Sequence, residues 1–363
     1  MKIVHTEASN GWGGQEIRIL EEARGLIARG HDVSVLCTPE ARILTEAPRF
    51  GVPITALPIG RKRLPGLFAM RRWLIEHRPD VVNTHSSTDS WLTGLACATL
   101  EQPPAIVRTR HISAPIAVNA GSKWLYGRSA RHVVTTGESL KQMLIRELGL
   151  QPACVTSVPT GIDTERFAPG DKAAVRQALG LDPTRRYLGI VATLRSWKGH
   201  QYLLEAFAKL ALPDWTLLIV GEGPQYDNIT AKIVELALEN RVVLTGQKTD
   251  PERWLRALDI FCLPSYANEG VPQSVMQAML TGLPIVTTPV GAILEAVTDA
   301  QTALVVPPKD TDALADAIGR LIAAPHLAAQ LGREARLCAE DRFSLHGMLD
   351  RMEQIFFAAT KQA

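Results

Sequence analysis

Short Val/Ile/Leu-rich runs recur along the whole chain, and helix-period patterns separate many of them. The strand candidates in the first half are Lys2–Thr6, Asp32–Cys37, Asp80–Thr84, Ala105–Thr109, His132–Thr136 and Val155–Val158. Those in the second half are Tyr187–Ala192, Thr216–Val220, Val242–Thr245, Ile260–Leu263, Pro284–Thr288 and Ala303–Val306. Many are continuous apolar runs rather than strict alternations, as strands buried on both faces require. Helical patterns lie between them, at Gln15–Arg29, Ser139–Leu148, His200–Lys209, Gln225–Leu238 and Thr311–Ile322. The pattern predicts the α/β class, with parallel doubly wound sheets. A chain of 363 residues exceeds what one hydrophobic core supports, so two such domains are expected. The loop-like PTGIDTERFAPGD stretch puts the junction near 159–182, giving domains at 1–165 and 166–342. Ligands of open parallel sheets bind at the strands' carboxyl ends, so two facing sheets would share one cleft.

Charge and cysteine content narrow the classes. A net charge of +2 gives no general pull toward nucleic acid. The five cysteines are scattered without CxxC pairs, which reads as buried thiols rather than a disulfide frame or zinc site. The start, MKIVHTEASNGWGG, has no apolar stretch long enough for a signal peptide, and a cytoplasmic protein is expected. Residues 270–294 lack charge, but prolines, glycines and polar side chains interrupt them, so they are read as a helix and strand rather than a membrane span. The first half carries the basic excess. Arg61, Lys62, Arg63, Arg71 and Arg72 surround Leu64, Leu67, Phe68, Met70 and Trp73. A second group, Arg108, Arg110, Lys123, Arg128 and Arg131, includes Trp124 and Tyr126. Such segments suit peripheral contact with an anionic membrane surface, or are ordinary solvated helix faces.

The densest chemistry lies in FCLPSYANEGVPQSVMQAMLTGLPIVTTPVGAILE, residues 261–295. A strand breaks into a loop carrying one acid, Glu269, and a helix follows after Gly270 and Pro272. Free N–H groups at a helix start bind anions. A carboxylate there would repel a bare phosphate, but it can accept hydrogen bonds from hydroxyls next to one. In VATLRSWKGH, Arg195 and Lys198 follow a buried strand and precede a helix, which suits a diphosphate. IVGEGPQ and LTGQ end two more strands on that edge, where Gly223 and Gly246 leave room for a flat nucleoside. In the first half, SNGWGGQE opens a helix with Gly11, Gly13 and Gly14, allowing close backbone approach to phosphate. A dinucleotide fingerprint would need glycine where Glu16 stands and an acid where Cys37-Thr38 ends the second strand, so a nicotinamide enzyme is disfavoured. His85 and His111 follow strands at their carboxyl ends and face either a ligand or local backbone. No HExxH, GxSxG or clustered acid pair offers a rival metal or nucleophile site.

Taken in order, these motifs resemble the retaining family 4 glycosyltransferases, and the resemblance spans nearly the whole chain. GGQE is similar to that family's first glycine loop, VPTGIDTERF to its interdomain hallmark and LRSWKG to its phosphate clamp. GEGP is similar to its next glycine turn, and the segment from PSYANEG to GLPIV to its signature. The resemblance implies the GT-B fold, two Rossmann-like domains facing across a cleft. It implies transfer of a sugar from a nucleotide donor to a glycan or glycolipid acceptor, with retention and without metal or other cofactor. Glu269 would bind the sugar hydroxyls, and amides of Gly270, Val271, Gln273 and Ser274 the sugar and phosphate. Arg195 and Lys198 would neutralise the diphosphate, His111 would lie against the reacting sugar, and Gly13 and Gly14 would approach the distal phosphate. Glu16 and His85 would stand on the acceptor side. The closing segment, 343–363, would cross back onto the first domain. A bacterial surface glycan such as lipopolysaccharide or capsule is the expected product.

Three positions depart from the family pattern. Gln277 stands where a second glutamate would hold the ribose, so the charge-assisted bond is lost while an amide can still donate and accept. Thr193 stands where the clamp arginine is more usual, with Arg195 two residues on. Thr160 replaces an asparagine of the hallmark loop. Two other readings stay open: a sugar-nucleotide epimerase of the same architecture and a non-catalytic sugar-nucleotide binder.

Overall fold

The computed structural model describes residues 1–111 and 116–361. Two compact units emerge, Met1–Gly161 with Leu345–Ala363, and Ile162–Ser344. The first holds a seven-stranded parallel sheet of β1 (Lys2–Glu7), β2 (Asp32–Cys37), β3 (Ile54–Ala56), β4 (Val81–Thr84), β5 (Ala105–Arg110), β6 (His132–Thr135) and β7 (Val155–Ser157). The second holds six parallel strands, β8 (Arg186–Val191), β9 (Trp215–Val220), β10 (Val242–Gly246), β11 (Ile260–Leu263), β12 (Ile285–Thr287) and β13 (Leu304–Val305). The orders are β3-β2-β1-β4-β5-β6-β7 and β10-β9-β8-β11-β12-β13, the doubly wound arrangement expected. Each order reverses at one point, between β1 and β4 and between β8 and β11.

Side-chain alternation explains why the first sheet is buried on both faces. Ile3, Val35, Val81 and Val107 enter one apolar cluster, whereas Val4, Leu36, Val82 and Ile106 enter the other. The first face is covered by the Gly14–Ala28 and Leu345–Lys361 helices. Met348, Leu349, Met352, Ile355 and Phe356 of the latter are all buried there. A Cβ at Gly25 would lie 2.4 Å from Leu349, so the glycine sets how closely these helices approach. The segment expected at 343–363 is this helix, its last two positions lying outside the described residues.

Sequence pattern missed β3, which has three residues, two of them exposed, and so carries no apolar run. It also missed the Leu64–His77, Ser87–Cys97 and Pro325–Arg342 helices. Residues 270–294 form the Gln273–Leu280 helix and β12, and among the described residues no helix is long and apolar enough to cross a membrane.

Candidate active site

In the second unit the loops after β8 and β11 meet at the point where strand order reverses. The loop after β8 carries a short 3-10 turn, Ser196–Lys198, ended by Gly199 at φ 75°. A Cβ on Gly199 would sit 2.0 Å from the Pro264 carbonyl oxygen, so only glycine lets the two loops touch. The Tyr266 amide donates to the Trp197 carbonyl at 2.8 Å and completes the stitch. Lys198 Nζ is thereby held against Glu269, 2.7 Å from Oε1 and 3.0 Å from Oε2. Ser265 Oγ donates to Oε1 at 2.6 Å. The carboxylate is only 5% exposed. Behind it, a Cβ on Gly291 would meet the Glu269 carbonyl at 2.0 Å, so the 290–292 loop fixes the backbone from the other side.

Glu269 precedes the Gln273–Leu280 helix, whose N-cap is Pro272. The helix's own bonding starts with the Val275 and Met276 amides, which both reach the Pro272 carbonyl. The Gln273 and Ser274 amides therefore lie ahead of that ladder, at the positive end of the helix. Gly270, Val271, Gln273, Ser274 and Gln277 are all half-buried on this stretch. The acid thus stands beside a helix start, as the sequence order requires, and Lys198 is paired to it.

Other expected residues fall differently. Arg195 is exposed; its guanidinium lies 5.7 Å from the Trp197 ring centroid, and the residue lines a separate cavity of about 190 Å³ with His200, Gln225 and Lys232. The ion pair at Glu269 is made by Lys198 and not by Arg195. Gly223 answers a packing need, since a Cβ there would lie 2.6 Å from the Leu194 carbonyl oxygen. Gly246 has φ 71° at the end of β10, a conformation glycine adopts without strain. Room for a nucleoside is therefore not required to explain either glycine.

In the first unit, Gly13 is the N-cap of the Gly14–Ala28 helix with extended backbone (φ −173°), which any residue adopts. A Cβ there would meet nothing nearer than Glu16 at 3.8 Å. Neither conformation nor crowding demands glycine at that position. Glu16 is buried in the first helical turn, where a carboxylate is favoured by the helix dipole.

His111 and His85 belong to one hydrogen-bonded chain that the sequence did not reveal. His85 Nδ1 lies 2.8 Å from His111 Nε2, and His85 Nε2 lies 2.9 Å from Nδ1 of His5 in β1. His85 is 4% exposed with both ring nitrogens engaged, so it stands behind His111 rather than on an acceptor surface. Burial first, and then Arg18, holds His5 down to about 3. Burial likewise lowers His85 and His111, so all three rings are neutral at pH 7.

Beside the chain lies an acid pair that sequence reading also passed over. Asp89 accepts from Thr6 Oγ1 (2.6 Å), Ser86 Oγ (2.6 Å), and the Ser86 (2.9 Å) and His85 (3.0 Å) amides. Glu7, at the end of β1, accepts from the Ser9 amide at 2.7 Å and from the Gln15 side chain. Burial, and next the Asp89 charge, pushes Glu7 up to about 8. With four donors Asp89 is the better carboxylate, and Glu7 is the one that keeps a proton. The only sequence signal was polarity inside buried strands: His5 in KIVHTE and Asn83 in VVNT. Of the second basic group, Arg108 is 4% exposed and, with Arg110, donates to the Tyr126 hydroxyl, at 3.1 and 3.0 Å. Those two cations are structural.

The family model described as Glycosyltransferase Family 4 matches residues 12–166, and that described as Glycosyl transferases group 1 matches 171–337. Together they cover both units. The chain belongs to glycosyltransferase family 4. Among curated relatives of this family member is the lipopolysaccharide core biosynthesis mannosyltransferase LpsB of Rhizobium meliloti (strain 1021), 32% identical over 206 residues. That match spans 54% of this chain and 56% of LpsB, so the chain aligns with little more than half of that protein. The UDP-Gal:alpha-D-GlcNAc-diphosphoundecaprenol alpha-1,3-galactosyltransferase of Escherichia coli is 28% identical over 306 residues, 79% of each chain. Among solved structures, Anabaena HepE in complex with UDP-glucose superposes with a TM-score of 0.84 at 21% identity, covering 99% of this chain and 100% of that one. At that identity the likeness is one of fold.

Proposed function

We propose that this family 4 member is a retaining, metal-independent glycosyltransferase that moves a sugar from a nucleotide-sugar donor to a bacterial surface glycan or glycolipid, at the cytoplasmic face of the membrane. The observation that carries the reading is the Lys198–Glu269–Ser265 constellation at the start of the Gln273–Leu280 helix. Glu269 accepts hydrogen bonds from the donor's sugar hydroxyls. Those hydroxyls replace Lys198 on the carboxylate and release its ammonium to the diphosphate. Lys198 and the Gln273 and Ser274 amides then meet the negative charge that grows as the bond from sugar to phosphate breaks. A leaving phosphate oxygen takes the acceptor's proton on the same face, so no protein nucleophile is needed. Gln277 meets the ribose through one donated and one accepted bond. His111 lies against the reacting sugar, and the Gly13–Gly14 turn lets the backbone approach the distal phosphate.

The names of the relatives support a lipid-linked or lipopolysaccharide acceptor, as does the surface of the Leu64–His77 helix. Leu64 and Phe68 are 66% and 64% exposed there, beside exposed Arg61, Arg63 and Arg72. Such a face suits an anionic bilayer. Incubation with a panel of nucleotide sugars and a bacterial glycolipid extract tests the proposal. Transfer with retained anomeric configuration and unchanged rate in chelator is the expected outcome. Isomerised donor without transfer would establish the epimerase reading, and saturable donor binding alone the binder. Sedimentation with anionic vesicles at low salt checks the membrane contact, and failure to bind would remove it.

A further inference from the structure

The three histidines come from three adjacent strands of one sheet, β1, β4 and β5. Their ring centroids are 5.2 and 5.1 Å apart with interplanar angles of 22° and 30°. Successive rings are nearly coplanar and meet through their nitrogens rather than their faces. A neutral imidazole has one N–H donor and one acceptor nitrogen, so fixing any ring's tautomer fixes the other two. The inner end supplies that choice. Thr109 Oγ1 donates to Asn83 Oδ1 at 2.8 Å, which turns the Asn83 amide nitrogen toward Glu22 Oε1 (3.4 Å) and His5 Nδ1 (3.5 Å). An amide nitrogen only donates, so a proton on His5 Nδ1 would face it donor to donor, and the Nδ1 lone pair is left for His85 Nε2 at 2.9 Å. His85 then carries its proton on Nε2 and accepts on Nδ1, and His111 carries its proton on Nε2. The outermost ring is left with an unprotonated Nδ1.

We infer that His5 and His85 are positioning residues that set the tautomer of His111, so that its Nδ1 acts only as a hydrogen-bond acceptor in the transfer site. The inference rests on the reading of His111 as a donor-side residue. It assigns a use to polar side chains that are otherwise costly in a buried strand. Among the described residues His5 Nε2 has no hydrogen-bond partner, an unfavourable state for a buried ring nitrogen. The surroundings keep the chain neutral. Arg18 from the Gly14–Ala28 helix disfavours a proton on each ring and is paired to Glu22 at 3.5 Å. Arg108 of β5 adds to this at His85. Of the nearby acids, Glu22 is paired to Arg18, Glu7 holds a proton, and burial pushes the Asp89 carboxyl up from its ordinary value. A charged imidazolium would present a second proton on Nδ1 and abolish the acceptor.

The test is nitrogen-15 NMR of the imidazoles in the full chain, with His5→Phe, which keeps the ring and removes its nitrogens, and His5→Asn, which returns a polar atom near Nδ1. Wild type is expected to show His85 and His111 each as the Nε2–H form, and to keep it below pH 6.5, where an ordinary histidine gains a proton. His5→Phe is expected to mix the tautomers of both rings and lower kcat on the order of tenfold with little change in KM. His5→Asn is expected to restore both. Asn83→Ala leaves the rings in place and is expected to mix the same tautomers, which covers the case that His5→Phe fails to fold. Mixed tautomers in wild type, or a His111 spectrum indifferent to His5→Phe and Asn83→Ala, would overturn the inference. The spectra need no donor, so a protein that transfers no sugar would sink the functional reading while leaving the tautomer assignment to stand or fall alone.

Discussion

The two sheets reverse strand order in the same way, yet they end in opposite chemistries. At the β8/β11 reversal the site is charged: Lys198 grips Glu269 from two loops pinned together by Gly199. At the β1/β4 reversal the groups at the centre are uncharged, three imidazoles and a protonated Glu7 held by burial. The difference suits the parts of a glycosyl transfer. Under the proposed function the charged site meets the donor's sugar hydroxyls and diphosphate, whereas the uncharged one offers directional hydrogen-bond acceptors. It also means that the halves should respond to different perturbations.

The largest effects should come from breaking the charged half. Lys198→Ala or Glu269→Ala should each lower transfer on the order of a hundredfold or more, read as kcat/KM with saturating acceptor. Lys198→Ala should also destabilise, because it leaves a carboxylate buried without its cation. The double variant Lys198→Met/Glu269→Gln should recover much of that stability in thermal unfolding and none of the activity. A single variant with the wild-type rate would remove the charged site from the account. Next is Gly199→Ala, where positive φ and the 2.0 Å approach to Pro264 oppose any side chain. It should cost at least about 2 kcal/mol in denaturant unfolding and misplace Lys198.

The charged site was more legible than the uncharged one for a physical reason. Glu269 and the helix after it are contiguous, so strand, acid, proline and helix start could be read as one object. Lys198 was legible as a cation beside a helix start, although its companion Arg195 points to a different cavity. Ser265 escaped notice because a serine after a strand has many uses. The histidine chain joins residues 5, 83, 85 and 111, and only the sheet order brings them together. A histidine inside a run such as KIVHTE is unremarkable until β1 is known to lie beside β4. Gly223 looked like space for a ligand, whereas it is needed for the approach of Leu194.

Smaller effects should separate the halves by pH. Unfolded histidine takes up a proton below its ordinary value of 6.5, while His5 stays neutral to about 3, so this group's contribution to stability falls as pH drops from 6.5 toward 3. Glu7 has the opposite sign. Between its ordinary 4.5 and about 8 the folded chain holds a proton that the unfolded chain has lost, so stability falls as pH rises through that window. From 6.5 to 8 the Glu7 slope acts without the histidine one. Glu7→Gln should therefore flatten the decline between pH 6.5 and 8 in thermal unfolding, and an unchanged slope would mean that Glu7 is ionised. The smallest change should come from Gln277→Glu, which should alter the ranking of donor nucleotides by a few-fold in KM. An identical ranking would mean that position 277 does not read the ribose.

Calorimetric titration of one nucleotide sugar and its matching nucleoside diphosphate tests the central claim most directly, using wild type, Glu269→Ala and Lys198→Ala. With Glu269 on the sugar and Lys198 on the phosphates, Glu269→Ala should bind the sugar nucleotide no better than the diphosphate, and Lys198→Ala should weaken both. Affinities equal to wild type in both variants would contradict the account.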